Sequence, residues 1–332
     1  MSFRVVRNPS DAELGLLQSA SPANPFVSAP YVAARRALGA TAVLFEAENP
    51  NSAPACAIGY ACGRPFSRSL EITSSPWCAN ATDFWSGVRE FCRQSHVADV
   101  AIDSYGAASV TLPTWVAPMQ LRDRTEWVLQ LGSVDSLTYA SNHRRNINKA
   151  RKLGVTMTST TDPAAAQLHG QIMAASMQRR ALRGENVPVI EDCNARYDAA
   201  FLASGAARLF QAVHDGEVVS SLLLLHAPSG AYYQSAGTTP EGMAIGASTF
   251  LVSEIIRTLA AEGKTVFNLG GAGPENEGLQ RFKSGFGAQP VPLQAATYQL
   301  ASPIHRKFRA AVRLLRGPVA LGKTLSQRWA AS

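Results

Sequence analysis

A lysine set between a phenylalanine and a run of glycines is the first place in this chain where chemistry can be sited. Asn268-Leu269-Gly270-Gly271 is followed by Gly278-Leu279-Gln280-Arg281-Phe282-Lys283-Ser284-Gly285-Phe286-Gly287. Gly270 and Gly271 end an apolar, strand-like run from Val266 to Leu269. Glycines let backbone approach a ligand closely, and Lys283 beside Phe282 can place a single cation in a partly dry channel, where a developing negative charge feels it strongly. A strand-to-helix turn with a solvated lysine accounts for the same residues, so the run has to be weighed with its surroundings.

Three other stretches bear on it. Between a strand at 231–236 and a buried-looking helix that starts near Gly246 lies Gly237-Thr238-Thr239-Pro240-Glu241-Gly242-Met243-Ala244-Ile245-Gly246-Ala247-Ser248. Backbone N–H groups at Gly246, Ala247 and Ser248 would orient a phosphate or a carbonyl oxygen at the positive end of the helix dipole. Neither GxxxxGK[ST] nor GxGxxG is present, so the loop is not a P-loop or a dinucleotide fingerprint. The segment from Asn142 to Lys152 reads as a basic helix stopped by Gly154. At helical spacing Ala140, His143, Ile147 and Ala150 share one side, and Arg145, Lys149 and Lys152 gather opposite as a solvated face. Arg144 and Arg151 flank the apolar stripe and suit an anion. Finally, Asp103 ends a strand at 97–102, where it either faces a ligand or shapes an Asx-turn.

The elements that must position these groups fall into two series. Strand-like runs at 3–6, 42–47, 55–62 and 97–102 alternate with helical ones at 10–19, 29–38 and after Thr82, which describes an α/β layer domain. A second series begins at 126–131 and contains three closely spaced strands, the first two joined by Asp215-Gly216, a hairpin signal. The expected domains are residues 1–120, residues 121–301, and a basic amphipathic tail at 302–332.

Composition supports a folded chain of that size. The 332 residues are 46% hydrophobic and 17% charged, too apolar for disorder and long enough for two cores. No apolar run approaches a bilayer span and no apolar leader begins the chain, so a cytoplasmic location is expected. Five cysteines without metal-ligand spacing suggest neither a disulfide framework nor a metal site. The net charge of +7 is local: nine Lys and Arg and no acid follow Glu277, leaving −2 for residues 1–277. Part of that basicity lies at 304–316, an amphipathic pattern suited to an anionic membrane surface, a nucleic-acid backbone, or docking on the protein itself.

The run from His143 to Val155, the strand and helix from Tyr232 to Glu262, and the Leu269 to Gly287 segment resemble the FemAB-like branch of the GNAT acyltransferases, which includes CelD-like acetyltransferase domains. The resemblance is strongest over 125–300. It implies an α/β (α+β) fold of two tandem GNAT-like domains, the first degenerate, with a donor and acceptor channel between them. It also implies Lys283 near the reacting carbonyl, Asp103 near an amine-bearing acceptor, and Arg144 as an anion contact. Gly242 to Ala247 keeps only part of the Q/R-x-x-G-x-G/A pyrophosphate loop of enzymes that use CoA. The donor is therefore either aminoacyl-tRNA or acyl-CoA, bound as a co-substrate with no tightly held cofactor.

An amine attacking an ester or thioester carbonyl needs alignment, loss of a proton and stabilisation of an oxyanion. Lys283 can supply the last, the Gly246 helix mouth the first, and Asp103 or Tyr233 can assist proton removal. No nucleophilic triad is visible, so direct transfer is expected; the resemblance implies a part in cell-envelope, polysaccharide or secondary-metabolite biosynthesis, with residues 304–316 as a peripheral contact to the inner membrane surface. The competing reading is a non-catalytic GNAT-fold binding or scaffold protein anchored by its basic tail.

Overall fold

The structure is a computed structural model that describes residues 2–49, 52–64, 67–73, 81–105, 112–113, 120–132, 138–185 and 195–301. The basic 304–316 stretch lies outside them. The described chain divides into two units that interleave along the sequence. The first takes the residues up to Ser21, Arg35–Arg124 and those from Pro292 onward; the second takes Pro22–Ala34 and Thr125–Val291. This differs from a serial division after residue 120, because a strand at the end of the chain serves the first unit.

In the first unit the strands are β1 (Ser2–Arg7), β2 (Thr41–Asn49), β3 (Ser52–Cys62), β4 (Arg68–Ile72) and β5 (Val97–Asp103). Helix α1 (Asp11–Ala20) opens with a capping box in which Ser10 and Glu13 satisfy each other's backbone N–H. Helix α2 (Ala29–Ala37) straddles the division, and α3 (Ala81–Gln94) connects β4 to β5. The first four strands pair antiparallel in order, and β4 pairs parallel to β5. Phe45, Ile72, Phe84, Val88 and Tyr298 form part of the core. Arg35 is buried there by an ion pair to Glu71 at 2.9 Å and by lying 4.2 Å above the Tyr60 ring, the paired state that a buried charge requires. The described cysteines, Cys56, Cys62 and Cys92, are free thiols.

The second unit repeats this plan. After β6 (Gln120–Gln130) come α4 (Ser141–Lys152), β7 (Thr156–Thr160), α5 (Ala165–Leu182) and α6 (Ala195–Ala203). Next are β8 (Ala207–His214), β9 (Glu217–His226) and β10 (Gly230–Thr238). The chain continues with α7 (Pro240–Ile245), α8 (Ala247–Ala261), β11 (Val266–Gly271), α9 (Glu277–Ser284) and β12 (Gln289–Gln299). Strands β7 to β10 pair antiparallel in order and β10 pairs parallel to β11, as β1 to β5 do. Asp215 and Gly216 both take left-handed backbone at the β8–β9 turn, as a tight hairpin requires. Beyond the parallel pair, β11 meets β6 antiparallel, and in the first unit β5 meets β12 antiparallel. The second unit therefore completes its sheet with the strand that heads its own series, and the first with β12, which follows the second unit in sequence.

One difference separates the two copies. Strands β4 and β5 stay paired to Ile72, the last residue of β4. Strands β10 and β11 pair at only three positions, the last being Tyr232 opposite Asn268, although β10 continues to Thr238 and β11 to Gly271. The second unit has a parted strand pair where the first has a closed one.

Candidate active site

The parting has local causes. Beside β9 the register of β10 slips between Tyr233 and Ser235, a bulge that bends a strand and re-aims its side chains. On the other side, β11 leaves register with β6 after Asn268 and regains it at Gly271 opposite Glu126. Gly270 permits this by taking φ +76, a conformation costly for other residues. Asn268 secures the turn, its Oδ1 accepting from the Gly270 N–H at 2.8 Å. The result is a wedge between β10 and β11 whose strand edges are no longer laddered to each other. Such edges can pair with an extended ligand.

Lys283 reaches this wedge from α9. Its Nζ donates to the Gly271 carbonyl, and the side chain is 3% exposed. A Cβ placed on Gly270 would stand 3.3 Å from the Tyr233 carbonyl oxygen, 3.7 Å from Lys283 Nζ and 3.7 Å from the Tyr232 hydroxyl. Gly270 therefore sits where β10, β11 and the lysine converge, and a side chain there would press on the Tyr233 carbonyl and come into contact with the lysine. Burial drives the Lys283 pKa down to about 7, against the field of Glu126, which raises it; the nearby Arg180 guanidinium also lowers it.

Beneath the lysine is a polar network absent from the sequence reading. Glu126, on β6, is buried; its carboxylate accepts from Asn268 Nδ2 at 2.8 Å and from the Tyr232 hydroxyl at 3.4 Å. The weak signals for it in the sequence are an amide within an apolar strand, Asn268, and an acid heading the run Glu126 to Leu131.

The other predicted residues take varied places. Tyr233 is half-buried against the core of the second unit, and desolvation pushes its hydroxyl pKa upward, which keeps it a proton donor and counts against a role as base. Phe282 packs on Phe286 with ring centroids 5.2 Å apart, as part of the seat of α9. Gly271 supplies the lysine's acceptor. Asp103 belongs to the first unit, where it sits 3.5 Å from an Arg124 nitrogen and 3.6 Å from one of Arg122.

The donor loop is helical rather than open. Thr239 caps α7, and Gly246 closes α7 in left-handed backbone while heading α8. No side chain caps α8, so the first turn, with Ala247 and Ser248, relies on its backbone. A Cβ on Gly246 would lie 2.9 Å from the Asn146 carbonyl oxygen, so α4 lies close against the helix mouth. Lys149, expected to be solvated, donates to the Ala244 carbonyl at 2.8 Å and ties α4 to α7.

Helix α4 buries His143, Ile147 and Ala150 of the predicted stripe, whereas Ala140 is exposed because it lies outside the helix as its N-cap. The His143 Nε2–H donates to the Phe282 carbonyl at 2.9 Å, and its ring lies 4.4 Å from that of Phe286. Burial lowers the His143 pKa. This histidine locks α9, and with it Lys283, against α4. Arg151 pairs with Glu254 of α8 at 2.7 Å. Arg144 is exposed and has no ion pair among the described residues.

A second buried cluster lies on α5, α6, β9 and β10. His169 places Nδ1 2.8 Å from Ser221 Oγ and Nε2 2.9 Å from Ser235 Oγ, with Asp198 Oδ2 4.0 Å from Nε2. Burial lowers the His169 pKa to about 4 and raises that of Asp198 to about 7. Both groups are therefore set to stay largely uncharged in the interior.

Comparison with known proteins bears on the fold that carries these residues. The acetyltransferase (GNAT) domain family matches residues 139–284, which span α4 to α9. Among curated proteins none matches the chain by sequence. In structure the chain is similar to FemX, at 12% identity and TM-score 0.67, covering 92% of this chain and 99% of that one. It is also similar to a tandem GNAT protein from the clavulanic acid biosynthesis pathway, at 12% identity and TM-score 0.53, covering 91% and 99%. A third similar structure is the C-terminal domain of a putative lysylphosphatidylglycerol synthetase from Agrobacterium fabrum, at 13% identity and TM-score 0.52, covering 91% and 96%. These likenesses establish the mixed α/β, tandem GNAT-like fold. No helix among the described residues is long and apolar enough to cross a membrane.

Proposed function

We propose that this chain, in which residues 139–284 are a GNAT acetyltransferase domain on a FemX-like fold, is an N-acyltransferase that moves an aminoacyl group from an aminoacyl-tRNA to an amine-bearing acceptor. The observation that carries the reading is Lys283, a buried cation beside the open strand wedge of the second unit. A scaffold protein gains nothing from desolvating a lysine, whereas a transferase needs a fixed positive charge in a dry place.

In this reaction the acceptor nitrogen attacks the donor's ester carbonyl carbon, and the carbonyl oxygen becomes an oxyanion. Lys283 gives one hydrogen to Gly271 and, as an ammonium, has two left for that oxygen. The C–N bond then forms fully as the ester C–O bond breaks. The proton lost by the amine passes to the departing ribose oxygen, so no protein base is required. The parted edges of β10 and β11 hold the donor extended, and Tyr233 contributes a neutral hydroxyl.

The choice of an aminoacyl ester over acyl-CoA rests on the donor loop. A CoA pyrophosphate needs an open cradle of backbone N–H groups at the helix mouth. Here that segment is wound into α7 and α4 lies against Gly246. The test compares binding of bulk tRNA across a salt titration with calorimetric titration of CoA. Binding of tRNA that weakens steeply with salt, without heat from CoA, is the expected result. CoA binding without tRNA binding would overturn the donor assignment, and binding of neither would overturn the transferase reading.

A further inference from the structure

A lysine this buried must be helped to stay charged, and among the described residues the groups that face it are few. From β6 comes Glu126, from α5 Arg180, and from β10 the Tyr232 hydroxyl. Arg180 opposes the ammonium and is itself engaged, donating from Nε to Glu185 at 2.7 Å. Tyr232 is neutral and directed to Glu126. On α9 itself, Glu277 and Arg281 are exposed. Among the described residues, Glu126 is thus the carboxylate whose field favours the charged lysine.

Its placement is determined by the fold at two levels. The register sets Glu126 opposite Gly271, the residue whose carbonyl Lys283 holds. The side chain is then fixed by Asn268 and Tyr232, which are themselves opposite each other in the last rung of the β10–β11 ladder. Asn268 spends its other end on the Gly270 N–H. One amide thereby links the carboxylate to the left-handed turn that opens the wedge and aims the Gly271 carbonyl.

We propose that Glu126 is a positioning residue for Lys283, holding the lysine in its charged form and, through Asn268, holding the Gly270 turn that presents Gly271 to it. This deepens the transferase reading and rests on it for its meaning, but it can be measured on the protein without any substrate. Glu126 touches no reacting atom; it acts through the lysine.

The experiment is an NMR titration of protein labelled with carbon-13 at lysine Cε, with the Lys283 signal identified by its loss in Lys283→Met. The wild-type midpoint is expected at about 7. In Glu126→Gln, which keeps an acceptor for Asn268 but loses the charge, the midpoint should fall by about one pH unit or more. Glu126→Asp, with its carboxylate withdrawn by one methylene, should fall by less and serves if the glutamine variant does not fold. A merely structural glutamate would change the unfolding midpoint in denaturant and leave the lysine's titration where it was. An unchanged Lys283 midpoint in either folded variant, or a wild-type midpoint near that of a free lysine, overturns the proposal. Because no acyl transfer is read, neither result depends on the donor or acceptor being right, and loss of tRNA binding would instead count against the function alone.

Discussion

Replacing Lys283 with methionine should make the protein inactive and, below neutral pH, more stable. The side chain is 3% exposed and its pKa falls from an ordinary 10.5 to about 7. At ~1.4 kcal/mol per pH unit, that difference corresponds to about 4–5 kcal/mol by which the folded state disfavours the ammonium. Below pH 7 both folded and unfolded chains hold the proton, and the full penalty applies. Between 7 and 10.5 the unfolded chain holds a proton that the folded one has released, so stability rises with pH by up to ~1.4 kcal/mol per unit. Above 10.5 both are neutral. The methionine chain has similar length and no charge, so it lacks this rise and gains most at pH 6. Urea unfolding of both proteins from pH 6 to 10 isolates the lysine together with the Glu126 field coupled to it, because titrating groups that do not feel Lys283 cancel in the difference. Parallel stability curves for the two proteins would refute the claim that Lys283 is desolvated. Transfer activity, measured on the folded variant, should fall about 100- to 1,000-fold, the loss that follows removal of one oxyanion donor.

Two further outcomes follow from the buried groups around the site. His169 and Asp198 have pKa values of about 4 and about 7, so between pH 4 and 6.5 the histidine favours folding as pH rises while the aspartate opposes it. Asp198→Asn removes the opposing effect, and its stability relative to wild type should climb by up to ~1.4 kcal/mol per pH unit over that window in denaturant titrations; a pH-independent difference would count against the pair. Gly285→Ala would put a Cβ 2.5 Å from the His143 ring. Displacing that ring from Phe282 should cost about 1–3 kcal/mol in thermal unfolding, and an unchanged melting temperature would show that α4 does not lock α9.

How much was legible in advance depended on distance along the chain. The stripe of His143, Ile147 and Ala150 and the Asp215-Gly216 turn are patterns within a few residues, and both appear as read. The expected open loop before α8 is instead α7, because Thr239 caps it and Pro240 suits its first turn. Lys149 is exposed, as helical periodicity placed it, but periodicity cannot show that α7 runs beside it and accepts its hydrogen bond. Phe282 was expected beside Lys283 in a partly dry channel, and the sequence could not show that its ring also packs on Phe286 and His143. Glu126 went unnoticed because its importance arises from a register with Gly271, some 145 residues away.

By itself, then, the amino-acid sequence determined the α/β class, the pairing of local elements and the concentration of glycines around one lysine, since backbone preferences and apolar periodicity act over a few residues. The tertiary structure alone decided that β10 and β11 part while β4 and β5 do not, that Lys283 is buried at the opening, and that Glu126 lies beneath it through Asn268. Strand separation and desolvation depend on which distant segments pack against each other, and no local pattern carries that information.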